Sequence, residues 1–92
     1  MKVVINKCFG RFRLSDEAEL WLKERGVVEP EVNETPSFRS DPRLVECVES
    51  LKEKSWGRYA ELKVVEIPSG VEWVIEEYDG REWVSEVHRT WG

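Results

Sequence analysis

Histidine and methionine each occur once in these 92 residues, and cysteine twice. Cys8 and Cys47 lie far apart without CxxC spacing, and His88 adds one further ligand at most, so the chain alone assembles no four-ligand zinc site. No metal is expected, and both cysteines read as free, partly buried thiols of a reducing compartment. Long apolar runs are missing as well, since nothing approaches the roughly eighteen residues of a transmembrane helix. The opening Met1-Lys2-Val3-Val4-Ile5-Asn6 turns polar too soon for a signal peptide, so neither a membrane nor export is expected. Positive charge is in deficit: 14 Lys and Arg against 19 Asp and Glu give a net charge of −5 with the signs interspersed. Duplex nucleic acid and anionic membrane need a basic field and are disfavoured. No phosphate-cradling glycine loop and no nucleophile–base–orienter set is present, so no cofactor is implied and an enzyme is not expected.

A chain this short fits one domain, spanning residues 1–92, because independent domains usually need at least about fifty residues. Its small core predicts modest stability unless oligomerisation adds buried surface. Five tryptophans exceed what such a core requires, and large amphipathic rings left at a surface are candidates for an interface or a ligand shelf.

Val3-Val4-Ile5 with Phe9 predicts a first strand over about residues 2 to 8, broken by Gly10. Ser15 followed by Asp16 and Glu17 is an N-cap with acidic residues where the helix dipole favours them. Leu14, Ala18, Trp21 and Leu22 then recur at helical spacing, and the helix should reach about Arg25, with Gly26 at the left-handed position beyond it. Residues 29 to 40, with Pro30 and Pro36, carry no sustained period and read as an exposed loop. Asp41-Pro42 starts a second helix with Leu44, Val45, Val48 and Leu51 on its apolar stripe, Cys47 beside it, and Gly57 as its end. A central strand spans about residues 59 to 67, with Ala60, Leu62 and Val64 on one face, and Pro68-Ser69-Gly70 is a turn.

Asp79-Gly80 is the strongest local signal, because both residues tolerate positive φ in a two-residue hairpin turn. Counting outward sets Tyr78 against Arg81, Glu77 against Glu82, Glu76 against Trp83, Ile75 against Val84, Trp73 against Glu86 and Val71 against His88. One face then carries Val71, Trp73, Ile75 and Val84 with Glu77, Glu82, Glu86 and His88. The other carries Val74, Glu76, Tyr78, Arg81, Trp83 and Val87. Neither is purely apolar, so something polar must be met on at least one side. The expected class is α+β: a small antiparallel sheet of N-terminal strand, central strand and C-terminal hairpin, packed with two helices.

His88, Arg89, Thr90 and Trp91 bring a titratable ring, a planar cation, a hydroxyl and an indole together, a set suited to an anionic aromatic compound such as a nucleotide. Arg58 beside Tyr59, Trp83 in the hairpin, and Asn6 and Lys7 from the first strand complete the candidate ligand site, with Arg11 and Arg13 adding charge nearby. Glu77 opposite Glu82 is the only arrangement resembling an acid–base pair, and two glutamates at a hairpin tip are more often simply exposed.

The sequence KCFG-x-F-x-LS at residues 7–15 resembles the KCFGGF-x-LS opening of a family of short proteins found mainly in bacteriophages and prophages. The resemblance continues through Gly57-Arg58-Tyr59-Ala60, Leu62-Lys63-Val64-Val65-Glu66-Ile67-Pro68, Val71-Glu72-Trp73, Glu77-Tyr78-Asp79-Gly80, Glu82-Trp83-Val84 and the closing His88-Arg89-Thr90-Trp91. Arg11 stands where that family has a second glycine, which removes a tight turn and adds a cation. The resemblance implies a phage origin and the host cytoplasm. In size and polar ends the chain is similar to phage sponge proteins that disarm Thoeris immunity by sequestering cyclic ADP-ribose-type signals. It therefore implies a protein that binds a small nucleotide-type ligand as a counter-defence, and a homo-oligomer is expected because a domain this small forms a deep pocket more easily between chains. Two other readings stand beside it: a module inhibiting a host protein, anchored by Trp56 and the loop around Phe38, and a small hydrolase using Glu77, Glu82 or His88.

Overall fold

The computed structural model describes residues 1–33 and 35–87. Strand β1 (Lys2–Asn6) is followed by helix α1 (Asp16–Lys23), helix α2 (Pro42–Leu51), strand β2 (Leu62–Glu66) and the hairpin strands β3 (Trp73–Tyr78) and β4 (Arg81–Glu86). The class is α+β, and the strands form two antiparallel two-stranded sheets, β1–β2 and β3–β4. β4 packs against β1 without joining its ladder, so the strands expected in one sheet are divided between two.

Both helices begin where their capping residues direct. The Ala18 N–H donates to Ser15 Oγ at 3.1 Å, and Asp16, Glu17 and Glu19 occupy the first turn of α1. α1 closes at Lys23, two residues earlier than its apolar period suggested, and Gly26 follows at φ 88°. Asp41 Oδ1 accepts from the Arg43 N–H at 2.8 Å, with Pro42 at the first helical position. Hydrogen bonding to Arg43 holds the Asp41 carboxyl below its ordinary range. α2 tightens after Leu51 into a 3-10 turn, Lys52–Ser55, ahead of Gly57.

The apolar faces of both helices close on one side of β1–β2. Leu22 and Leu44 are fully buried there, and so are Val4 and Cys47, with Leu14, Val48 and Leu62 around them. Cys47 thus lies inside the stripe rather than beside it, and burial pushes its thiol pKa up to about 11. The segment 29–40 differs most from expectation. It forms two 3-10 turns, Pro30–Val32 and Pro36–Ser40, and Phe38 inserts into the core with 4% exposure. Burial of that ring offsets the entropy of ordering the segment.

The hairpin follows the expected register from Trp73–Glu86 to Tyr78–Arg81, with Asp79 at φ 51° and Gly80 at φ 88° in the turn. None of its residues belongs to the core cluster.

Candidate functional site

β1 bonds to β2 through its odd-numbered residues, which leaves the backbone groups of Val4 and Asn6 on the opposite edge. An ion pair covers that edge. Arg39 Nη1 lies 2.6 Å from Glu82 Oε1 and Nη2 lies 2.9 Å from Oε2, a forked pair whose side chains are 16% and 9% exposed. The same Glu82 oxygen accepts from the Asn6 N–H at 2.8 Å, and Arg39 Nη1 donates to the Val4 carbonyl at 3.4 Å. A residue of a parallel neighbouring strand would bond to this carbonyl and this N–H, so the ion pair substitutes for a third strand and blocks the free edge. Arg39 also stacks on Phe12, with its guanidinium carbon 3.6 Å from the ring centre.

The hairpin turn is fixed by the buried side chain of Asn6. Its Nδ2 donates to the Gly80 carbonyl at 2.7 Å and to the Cys8 carbonyl at 2.9 Å, while its Oδ1 accepts from the N–H groups of Cys8 and Glu61. Three segments therefore converge on Gly10. A Cβ on Gly10 would lie 2.0 Å from the Tyr59 carbonyl oxygen, and one on Gly80 would lie 1.8 Å from the Gly10 carbonyl oxygen. Only glycine permits both approaches.

On one side of this junction opens a cleft of about 490 Å³. It is lined by Arg11, Phe12 and Arg13, by Arg39, Glu77, Gly80 and Glu82, and by Glu19, Glu31 and Asn33. Arg39 is committed to Glu82, and Glu31 meets Lys23 at 3.4 Å. Arg11 and Arg13 are exposed and make no ion pair among the described residues. Burial, reinforced by Glu31 and Asp16, holds the Glu19 carboxyl above its ordinary range. The cleft thus combines two available guanidinium groups and an aromatic–guanidinium stack with carboxylate acceptors, and suits a ligand bearing both anionic groups and hydroxyl or amine donors.

The sequence-predicted site is distributed unevenly. His88, Arg89, Thr90 and Trp91 lie outside the described residues, as does the pairing of Val71 with His88. Asn6 spends its side-chain amide on the fold. Lys7 is half-buried, its N–H bonded to the Glu61 carbonyl at 2.8 Å. Arg58 lies over the Tyr59 ring at 5.3 Å, and Trp83 is 43% exposed with Nε1 donating to Glu76 at 3.1 Å. Glu82 is no solvated tip residue: it is 7% exposed and held by Arg39 and Asn6, so Glu77 and Glu82 do not form a free carboxylate pair. Glu77 instead accepts from the Gly80 N–H at 2.9 Å. Of the anchors of the interface reading, Phe38 itself is core, and Trp56 is half-buried against the core with Nε1 donating to the Leu62 carbonyl at 3.1 Å.

Phe12 and Arg39 went unrecognised. The one pointer was the register, which set Glu82 on the same face as Ile75 and Val84 and so required a cation for any buried carboxylate there. Among the described residues no cluster of three or more metal-ligating side chains occurs, and no helix is long and apolar enough to cross a membrane. No protein-family model, curated protein or solved structure matches the chain.

Proposed function

We propose that this protein binds a small nucleotide-type ligand in the cleft beneath the hairpin turn and acts by holding it, not by transforming it. The observation that carries this reading is the pair Arg11 and Arg13, two guanidinium groups without ion-pair partners among the described residues, flanking Phe12 in a cleft also lined by Glu19, Glu31 and Glu77. Phosphate oxygens take the forked donors of arginine, and the carboxylates of Glu77 and Glu19 accept from ribose hydroxyls or an exocyclic amine. Sequestration requires affinity and no nucleophile. The phage resemblance gives this binding its biological form, removal of a nucleotide immune signal in the host cytoplasm.

Calorimetry with cyclic ADP-ribose isomers and cyclic oligonucleotides tests it directly. A hydrogen bond to a charged group contributes about 1.5–3 kcal/mol, so Arg11→Ala with Arg13→Ala weakens binding by at least about tenfold, and the ligand leaves intact on denaturation. Absence of heat with every such compound, or recovery of a hydrolysed product, overturns the reading.

A further inference from the structure

The junction has a second side, distinct from the cleft. Among the described residues, the exposed large aromatic side chains are Phe9 at 64%, Tyr59 at 69%, Tyr78 at 67% and Trp83 at 43%, and each belongs to a segment that meets at or near the hairpin turn. Their adjacency is a chain of contacts. Trp83 lies two residues beyond Arg81 on the same hairpin face, Arg81 pairs across the ladder with Tyr78, and its guanidinium carbon lies 5.8 Å from the Phe9 ring. Gly10, next to Phe9, abuts the backbone of Tyr59, over which Arg58 lies.

Tyr59 is held at φ 61°, in the left-handed region where a bulky residue is an outlier. Burial of its ring does not offset that strain, because the ring stands in solvent. Strain retained to display a side chain is characteristic of functional surfaces. Arg58 and Arg81 are exposed and make no ion pair among the described residues, whereas the nearby Glu76 is engaged by Trp83 Nε1 and Ser85 Oγ. Those neutral donors leave Glu76 charged and Asp79 lies exposed in the turn, so the two arginines supply guanidinium donors to this surface rather than a cationic field, on a chain of net charge −5.

We infer that this surface, formed by Phe9, Arg58, Tyr59, Tyr78, Arg81 and Trp83, binds single-stranded nucleic acid, its rings stacking on unpaired bases and its two arginines holding phosphates. Solvent-exposed rings interleaved with guanidinium groups form a stacking platform, and every base offers a face to it regardless of sequence. A duplex keeps its bases stacked inside and meets too little positive charge here. The surface is separate from the cleft, so either proposal can fail without the other.

The test is fluorescence anisotropy with fluorescein-labelled oligothymidylate and oligouridylate of about 15 nucleotides, alongside tryptophan quenching. Saturable binding is expected, with a slope of log K against log salt near about −1.4 for two phosphate contacts. Tyr78→Ala and Phe9→Ala should each weaken it by roughly 5- to 150-fold, the range for loss of one base stack. Both side chains are exposed, and unchanged circular dichroism confirms that the variants fold. Arg58→Glu with Arg81→Glu should remove binding, while Arg11→Ala with Arg13→Ala leaves it unchanged. The inference is overturned by no anisotropy change up to about 100 µM protein, the range of ordinary non-specific binding. It is equally overturned if the aromatic variants bind like the parent, or if an acidic glutamate–tyrosine copolymer binds more tightly than the oligonucleotides, which would assign the surface to a protein partner.

Discussion

The helical body and the hairpin are held by different forces. In the body, α1, α2 and β1–β2 enclose fully buried Leu22, Leu44, Val4 and Cys47, so burial of apolar area stabilises it. The hairpin adds no residue to that cluster; its apolar face, Trp73, Ile75 and Val84, is only half-buried, and directional contacts fasten its turn end: the Arg39–Glu82 fork, Asn6 to Gly80, and the glycine contact at Gly10. An isolated two-stranded hairpin is marginal in water, so this one depends on its latch. Apolar packing tolerates small shifts, whereas a forked ion pair is made or lost. A protein whose body is set by burial and whose hairpin turn is set largely by polar contacts can therefore loosen the second without unfolding the first.

Hydrogen exchange on two variants gives the largest effect and the sharpest contrast. Glu82→Ala leaves Arg39 buried without its partner and should lower protection of the β3–β4 amides by about 3–5 kcal/mol. Amides of α2 should stay near their parent values. Leu44→Ala should instead lower protection in the body by about 2–5 kcal/mol. If both variants weaken all amides equally, body and hairpin are one cooperative unit and the contrast disappears.

Gly10→Ala should act on the hairpin in the same direction, by about 1–3 kcal/mol as a small overpacking substitution, because its methyl would collide with backbone of Tyr59 that has no flexible end to move. Unchanged tryptophan fluorescence and thermal midpoint in that variant would show that the three-segment contact is dispensable.

Acid should affect the body through Asp41. Its carboxyl is held below the ordinary value, 3.8, by Arg43, so the ionised form favours the folded state. That contribution is present above the unfolded value and is lost as pH falls through the lowered folded value. Asp41→Asn, which keeps capping capacity, should cost only a few tenths of a kcal/mol at neutral pH and flatten the acid limb of the stability profile below about pH 4. An acid limb identical to the parent's would remove Asp41 from the account.

The smallest effect distinguishes the two thiols. Cys47 is fully buried with its thiol pKa raised to about 11, whereas Cys8 is partly exposed beside the hairpin junction. One thiol should react with a disulfide reagent in the native protein and both in denaturant, and two fast thiols in the native state would contradict the packing of α2.

Local rules were readable in the sequence because their causes are local. Ser15 and Asp41 cap their helices within three residues, and Asp79-Gly80 sets every pair of the hairpin by counting from the turn. The helix and strand faces likewise followed from period alone, so Leu22, Leu44 and Leu62 were identifiable as core. Segment 29–40 departs from its loop-like sequence because proline and polar residues signal a loop whether or not one side chain, Phe38, enters the core. No period links Arg39 to Glu82 across 43 positions, or Asn6 to Gly80 across 74. The chain by itself determined its elements, caps and hairpin register, since these depend on backbone geometry and neighbours a few residues away. Only the tertiary structure decided that Glu82 is buried, that the turn docks on Gly10, and that Phe9 meets Arg81 of the hairpin, because those outcomes depend on which distant segments the packed core brings within bonding distance.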